Sequence, residues 1–219
     1  MPLALSVDFR DPAPLLLQAI ERCNGSHDVW IFGYGSLIWR PDFDYVEKHA
    51  ARVHGWHRAL RMWSRLNRGT PELPGLVFGM LSGGSCRGLV FRVAKEHACD
   101  VLTTLWQREM VAGIYDPKWL PCQTATHGTV TALAFTLSRK SASHAAALTD
   151  RDYCRIFANA AGRYGTTHDY ALRTFEELRR LGIHDRALDR LLKLQPDGSP
   201  HGAAQQLQTA PTQLEAGPT

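Results

Sequence analysis

The sequence predicts an α+β fold in which helices surround a small, mixed, barrel-like β-sheet. Candidate strands dominate the first part of the chain, one long helix interrupts them, and the last third has helical patterns. Links between the early strands are too short for helical crossovers, so most strand pairs should be antiparallel. The 219 residues are 44% hydrophobic and 21% charged, a composition typical of a globular protein with a substantial core.

The first elements are predicted from apolar runs and from the residues that start or stop them. Pro12 can begin a short helix that Asn24-Gly25 ends. The compact run Val29 to Phe32 predicts a buried strand, which breaks at the glycine-rich residues that follow. Further strand predictions cover 46–64, as two extended segments divided at Gly55, and then 76–81 and 88–93 on either side of a glycine-serine turn.

The rest of the chain is predicted to hold one helix, two strands and then three helices. A helical pattern covers 95–111, and strands are expected near Trp119 and over 129–137. The later helices are predicted at 150–161, 167–181 and 185–194. For the middle one, Thr166 should be the N-cap, with Asp169 at the third helical position, and Gly182 should end the helix.

These elements divide the chain into three parts. Residues 1–28 are expected to form a peripheral segment, 29–195 the folded domain, and 196–219 a disordered tail. The tail is rich in Gly, Pro, Gln, Thr and Ala, and such a segment buries too little apolar surface to offset the entropy lost on ordering.

Composition makes several classes of protein poor candidates. A net charge of +4 does not require nucleic acid, and a basic stripe over 52–65 is more simply a solvated strand face. No run approaches the roughly 20 apolar residues of a membrane span, so no membrane partner is expected. Five dispersed cysteines, and a first segment without the pattern of a secretory signal, favour a cytoplasmic protein.

The strongest local signal is the loop that follows the strand ending at Phe32. Gly33 and Gly35 alternate with Tyr34 and precede Ser36, an arrangement that can aim backbone N–H groups at an anion. The loop lacks the third glycine of a dinucleotide-binding motif, the Gly-Lys-Ser/Thr of a P-loop and the spacing of a nucleophile elbow. The alternative interpretation is an ordinary turn that closes a core strand.

Glu109 is the second signal. It follows Leu105 by four residues and Trp106 by three, so it lies on the apolar face of its predicted helix. A carboxylate there is desolvated, its pKa should rise, and it becomes suited to general base catalysis near neutral pH. The alternatives are that an arginine neutralises Glu109 or that its side chain reaches solvent.

Weaker candidates are Arg68 and Tyr170. Arg68 lies in a Pro/Gly-rich loop and could bind a carboxylate, although a solvated loop arginine is the simpler interpretation. Tyr170 lies near the start of a helix and could present its hydroxyl to a site, whereas a tyrosine at the rim of the core is the default. The ten histidines show neither the H-E-x-x-H motif nor Cys/His ligand spacing, so no metal site and no cofactor are expected.

Several blocks of the sequence, taken in order, resemble the ChaC family of γ-glutamylcyclotransferases. The resemblance spans roughly Val29 to Gly182. The blocks are Phe32-Gly33-Tyr34-Gly35-Ser36-Leu37-Ile38-Trp39, then Gly55, Arg68-Gly69-Thr70-Pro71, Pro74-Gly75, Arg108-Glu109 and Asp169-Tyr170.

The resemblance implies a γ-glutamylcyclotransferase-like fold and the cleavage of glutathione to 5-oxoproline and cysteinylglycine. The catalytic residue would be Glu109, and the residues that bind the γ-glutamyl substrate would be Gly33, Tyr34, Gly35, Ser36, Leu37, Ile38, Arg68 and Tyr170. Two alternatives stay open: the same cyclisation on other γ-glutamyl amino acids or amines, and a non-catalytic γ-glutamyl-binding regulator of cation transport.

Overall fold

The computed structural model describes residues 10–111 and 113–194, so the predicted tail at 196–219 lies outside the described residues. The barrel strands are β1 (Val29–Gly33), β2 (Glu47–Ser64), β3 (Gly75–Val93), β4 (Asp116–Thr124) and β5 (Thr129–Thr136). The α-helices are α1 (Ala13–Cys23), α2 (Ala98–Glu109), α3 (Asp150–Asn159), α4 (Thr167–Arg180) and α5 (Arg186–Leu192). A small hairpin of β6 (Ala161–Gly162) and β7 (Gly165–Thr166) lies between α3 and α4.

The five long strands close into a barrel in the order β1-β3-β2-β4-β5. β1 pairs with β3 in antiparallel fashion, and it closes the barrel by running parallel to β5, where Trp30 faces Ala132 and Ile31 faces Leu133. The sheet is therefore mixed and barrel-like with helices around it, and the predicted fold class is confirmed.

Two predicted strand breaks are wrong. The segment predicted at 46–64 forms the single strand β2 from Glu47 to Ser64, and 75–93 forms the single strand β3. Gly55, with a φ of +78°, lies where the β2–β3 register shifts between His54 and Trp56. A bulge of this kind absorbs one extra residue and bends the strand while pairing continues on both sides, so the glycine does not end the strand.

The helix predictions hold to within a few residues. α2 is preceded by a 3₁₀ turn at Lys95–His97 and ends at Glu109, two residues earlier than expected. At the start of α4 the Thr166 hydroxyl accepts a hydrogen bond from the Asp169 N–H at 3.0 Å, as predicted for an N-cap. Gly182 follows α4 with a φ of +67°, the left-handed conformation that glycine adopts most readily.

The core lies on both sides of the barrel wall. Ile31 and Phe32 are adjacent in β1 and both are fully buried, although strand neighbours face opposite sides. Ile31 belongs to the apolar cluster shared with α1 and α2, and Phe32 belongs to the cluster shared with α4 and α5. β1 is thus held rigidly at the point where its C-terminal loop begins. No helix in the described parts of the chain is long and apolar enough to cross a lipid bilayer.

Candidate active site

A cavity opens where the loop after β1 meets the C-terminal end of α2. Strands β3 and β5 and the first turn of α4 complete its wall. Its lining residues are Tyr34, Gly35, Ser36, Leu37, Phe78, Glu109, Tyr115, Phe135 and Tyr170. Six residues predicted from sequence as site residues are therefore brought together, although they are separated by up to 136 positions, which is the distance from Tyr34 to Tyr170 in the chain.

The loop after β1 forms a 3₁₀ turn at Ser36–Ile38. The Ile38 N–H donates to the Gly35 carbonyl at 3.0 Å, and the Arg40 N–H donates to the Ser36 carbonyl at 2.8 Å. The N–H groups of Ser36 and Leu37 begin the turn and so have no partner within it. The side chains of Leu37 and Ile38 are buried, so the turn can offer a ligand its backbone and the half-buried Ser36 side chain.

Two glycines allow this loop to pack closely. A Cβ atom at Gly33 would lie 3.1 Å from Leu37 Cβ and 3.1 Å from Phe91 Cε2. A Cβ atom at Gly35 would lie 3.0 Å from the Tyr170 hydroxyl, inside the cavity. The loop therefore does more than close a strand, because the Tyr170 hydroxyl of α4 lies directly beside Gly35.

Glu109 is the last residue of α2 and its side chain is 17% exposed. Burial raises the pKa of Glu109 above its ordinary value, while the nearby charges of Arg108 and Arg40 lower it in part. Arg108 Nε lies 3.1 Å from Glu109 Oε1. The Glu109 carboxylate is therefore desolvated, as predicted, and it also forms an ion pair with Arg108, which was one of the alternative interpretations. It faces the cavity.

Arg108 connects Glu109 to the loop. Its Nη1 donates to the Arg40 carbonyl at 2.7 Å and to Asp42 Oδ2 at 3.0 Å, and its Nη2 donates to Ser36 Oγ at 3.1 Å. These bonds fix the carboxylate and the 3₁₀ turn relative to each other. This role was not predicted from the sequence, because it depends on contacts with residues about 70 positions away. The one available signal was the adjacency of Arg108 to Glu109.

Three buried tyrosines surround the carboxylate. The Tyr34 hydroxyl donates to the Phe135 carbonyl at 2.7 Å, and the Tyr115 hydroxyl donates to the Phe78 carbonyl at 3.0 Å. Tyr170 differs, because its hydroxyl accepts from the Phe78 N–H at 3.4 Å and keeps its own proton for a ligand. Burial raises the pKa of Tyr170 to about 12, so its hydroxyl remains a neutral donor at physiological pH.

The remaining predicted site residues lie behind the cavity wall. Gly33 and Ile38 pack in the core, and Arg68 is 6% exposed, so the interpretation of Arg68 as a solvated loop residue is wrong. The guanidinium of Arg68 lies over the Tyr170 ring at 5.0 Å and donates to the Tyr164 carbonyl. This cation–π contact holds Tyr170 through the face of its ring.

The cavity offers few donor atoms to a metal ion. Among its described lining residues there is one carboxylate and no imidazole or thiol, whereas a catalytic zinc typically has three protein ligands. Three lining residues, Phe78, Tyr115 and Phe135, were not predicted from the sequence. Tyr115 follows Glu109 by six positions, but its approach to the cavity depends on the turn at Gly113, where φ is +61°.

Comparisons with known proteins agree with this geometry. A family model described as ChaC-like protein matches residues 29–195. The chain is 34% identical over 178 residues to the glutathione-specific γ-glutamylcyclotransferase of Escherichia coli, a match covering 80% of this chain and 77% of the relative. It is 36% identical over 109 residues to glutathione-specific γ-glutamylcyclotransferase 1 of Mus musculus, a match covering 49% of each chain.

The fold also resembles a solved structure. The crystal structure of a yeast γ-glutamyl cyclotransferase specific to glutathione superimposes with a TM-score of 0.71. The superposition covers 77% of this chain and 96% of the yeast chain. The sequence identity is 20%, so this likeness supports the barrel and its helices.

Proposed function

Because this chain belongs to the family of ChaC-like proteins, we propose that it is a γ-glutamylcyclotransferase that cleaves glutathione to 5-oxoproline and cysteinylglycine. The observation that carries the proposal is the buried Glu109 carboxylate, which faces the same cavity as the turn at Ser36–Ile38. Burial raises the pKa of this carboxylate, a property that suits a general base and that a group holding only the α-ammonium of a ligand does not require.

The reaction needs no nucleophile from the protein, because the substrate carries its own. The α-amine nitrogen attacks the γ-carbonyl carbon and closes a five-membered ring, and the amide bond to cysteine then breaks. The enzyme must fold the substrate so that the amine meets the carbonyl. It must also move one proton from the attacking amine to the leaving amine and stabilise the oxyanion.

In this scheme Glu109 is the proton shuttle. Its raised pKa lets the ionised form take a proton from the attacking α-amine, and the resulting neutral acid gives that proton to the leaving amine. Arg108 holds the carboxylate through the 3.1 Å ion pair and keeps it directed at the cavity. The same side chain serves both half-steps, so no second acid is required.

The backbone of the 3₁₀ turn and the Tyr170 hydroxyl supply the hydrogen-bond donors. The Ser36 and Leu37 N–H groups begin the turn beside the cavity, and the Tyr170 hydroxyl has its proton available. We assign these groups to the γ-glutamyl part of the substrate and to the oxyanion that forms on its γ-carbonyl. Arg68 acts as a positioning residue, because it holds the Tyr170 ring.

The direct test is to incubate the purified protein with glutathione and to measure 5-oxoproline. Other γ-glutamyl amino acids and amines belong in the same assay, because they share the cyclising group and differ only in the leaving amine. A rate with glutathione well above the others would support the proposed specificity. The absence of 5-oxoproline from every γ-glutamyl compound would overturn the function. We further propose a cytoplasmic location, in keeping with the dispersed cysteines.

Metal removal is expected to leave the activity unchanged. The base and the hydrogen-bond donors of this scheme all come from the chain, so dialysis against EDTA should not alter kcat or KM with glutathione. The measurement compares dialysed protein with the same protein after a divalent ion is restored. Activity that is lost on dialysis and regained with the ion would contradict the scheme.

Replacing Gly35 with Ala is expected to raise KM and lower kcat. The added methyl group would lie 3.0 Å from the Tyr170 hydroxyl and 3.5 Å from Phe78 Cβ, and it would displace a donor by a few tenths of an ångström. We expect kcat/KM to fall by roughly tenfold, since reacting groups are sensitive to small displacements. Gly25→Ala is the matched control, because nothing lies within 4 Å of its Cβ. Unchanged kinetics in a folded Gly35→Ala protein would assign the loop to turn formation alone.

A further inference from the structure

Two histidines and a glutamate meet at one end of the barrel, away from the residues that line the cavity. Glu47 and His49 lie on the same face of β2 as the buried Ala51 and Val53, where this face reaches solvent. His127 comes from the turn between β4 and β5. We call these three residues the Glu47 cluster, and no part of the proposed reaction uses them.

The three side chains converge through one atom each. His49 Nε2 lies 2.8 Å from Glu47 Oε2, His127 Nε2 lies 3.4 Å from the same oxygen, and the two Nε2 atoms are 3.2 Å apart. Ligand bonds of about 2.0–2.1 Å at tetrahedral angles place neighbouring donor atoms about 3.4 Å apart. The spacing in the Glu47 cluster is close to this value, so a metal ion needs only small side-chain movements to enter.

Contacts around the Glu47 cluster fix the orientation of its donor atoms. Arg92 Nε donates to Glu47 Oε1 at 2.5 Å, which leaves Oε2 to face the imidazoles, and the charge of Arg92 is balanced by Asp28 at 2.5 Å. The second ring nitrogen of His49 lies 3.1 Å from Thr126 Oγ1. Partners of this kind typically orient the ligands of a metal site.

A hydrogen-bonded ion pair explains only part of this arrangement. A proton on His49 Nε2 can point at the Glu47 oxygen or at His127 Nε2, and it cannot serve both with good geometry. Three donor atoms that all lie within 3.4 Å of one another are served together by a single cation. We propose that Glu47, His49 and His127 form a binding site for a divalent transition-metal ion, with Zn²⁺ as the representative ion.

The donor set selects the class of metal. Two imidazole nitrogens and one carboxylate oxygen suit Zn²⁺, Co²⁺, Ni²⁺ and Cu²⁺. Ca²⁺ and Mg²⁺ prefer sites built from oxygen ligands, and the Glu47 cluster offers only one free carboxylate oxygen. A fourth position remains for water, because three protein ligands leave a tetrahedral ion incomplete.

The position of the Glu47 cluster suggests what the ion does. β2 and β4 pair over only three residues of β2, Ala51 to Val53, so few backbone hydrogen bonds join these two strands. An ion held by β2 and by the β4–β5 turn adds a further link between them. The site is independent of the proposed reaction, and its loss leaves Glu109 and its surroundings intact.

Titration of the metal-free, full-length chain without an affinity tag tests the site. Calorimetry with ZnCl₂ should show one equivalent of Zn²⁺ bound by the wild-type protein. The melting temperature should rise by about 5–10 °C at a hundredfold excess over the dissociation constant. CaCl₂ at the same concentrations should produce neither effect.

Two variants decide whether the Glu47 cluster holds the ion. His127→Gln changes an exposed turn residue and should weaken Zn²⁺ binding by at least about 10–100-fold, with little effect on the melting temperature of the metal-free protein. His54→Gln is the control, since His54 is an exposed residue of β2 that contacts Gln123. His54→Gln should bind Zn²⁺ as tightly as the wild type. The proposal is overturned if the wild type shows no saturable 1:1 binding, or if His127→Gln binds Zn²⁺ as tightly as the wild type.

Discussion

Replacing Glu109 with Gln is expected to lower kcat for glutathione by about 10²–10⁴-fold, the usual contribution of a general acid–base group. Gln keeps the size and the hydrogen-bonding geometry of Glu but cannot carry the proton. The affinity for glutathione should change little, because the γ-glutamyl group is assigned to the 3₁₀ turn and the Tyr170 hydroxyl. The measurements are kcat under saturating glutathione and the dissociation constant by calorimetry.

The fold should tolerate this change. Arg108 loses an ion partner but keeps its bonds to the Arg40 carbonyl, to Asp42 and to Ser36, so it is not left unpaired. Burial raises the pKa of Glu109, so the folded wild type loses stability as the pH rises from the ordinary carboxyl pKa through the raised one. Glu109→Gln avoids that loss, and its melting temperature relative to the wild type should be higher at neutral than at acidic pH.

The pH dependence of the wild type checks the same assignment. The base must be ionised, so kcat/KM should fall as the pH drops through the raised pKa of Glu109. The alternative, in which Glu109 serves only as an ion-pair partner, predicts a destabilised variant whose folded fraction stays active. A Glu109→Gln protein with near wild-type kcat and a lowered melting temperature would refute the proton-shuttle mechanism.

Replacing Gly75 with Ala is expected to cause a large loss of stability. Gly75 begins β3, and a Cβ atom there would lie 2.0 Å from the Arg68 carbonyl oxygen and 2.4 Å from Thr167 Oγ1. Thr167 Oγ1 also accepts a hydrogen bond from the Leu76 N–H at 2.9 Å, so β3, the Arg68 loop and α4 meet here. A clash with backbone cannot be relieved by a rotamer change, and we expect a cost of about 3 kcal/mol or more.

This variant should also lower activity, because the displaced segments carry Arg68 and the start of the helix that presents Tyr170. The melting temperature should drop by about 6–12 °C, at roughly 2–4 °C per kcal/mol for a domain of this size. Gly25→Ala again provides the comparison: its φ of +66° costs about 1–2 kcal/mol and its Cβ meets no atom within 4 Å. Equal melting temperatures for the two variants would show that the Gly75 contact is easily relaxed.

Local chemistry made much of the fold predictable from the sequence. The N-cap at Thr166 and the stop at Gly182 depend on residues within a few positions, and both were correctly assigned. The burial of Glu109 followed from helical periodicity alone. The loop at Gly33–Ser36 was recognised because its glycines directly follow an apolar strand.

Features that depend on distant contacts were not predictable. The continuous strands β2 and β3 owe their continuity to pairing with each other across the bulge at Gly55, and a glycine alone indicates only a break. The role of Arg108 depends on Arg40 and Asp42, which lie in the segment between β1 and β2, far from Arg108 in the chain. The Glu47 cluster combines residues 78 positions apart, between His49 and His127, and no motif covers such a separation.

The parallel pairing of β1 with β5 sets the order in which the protein can be assembled during synthesis. β1 leaves the ribosome about 100 residues before its partner in β5. The barrel closes, and its free strand edges disappear, only when these two distant segments pair. Until then β1 and β4 present unpaired strand edges that can pair with other chains. Tyr170 emerges later still, so a nascent chain acquires its complete cavity only after all five barrel strands have been made, and chains that stop before Tyr170 are candidates for aggregation and proteolysis rather than for partial activity.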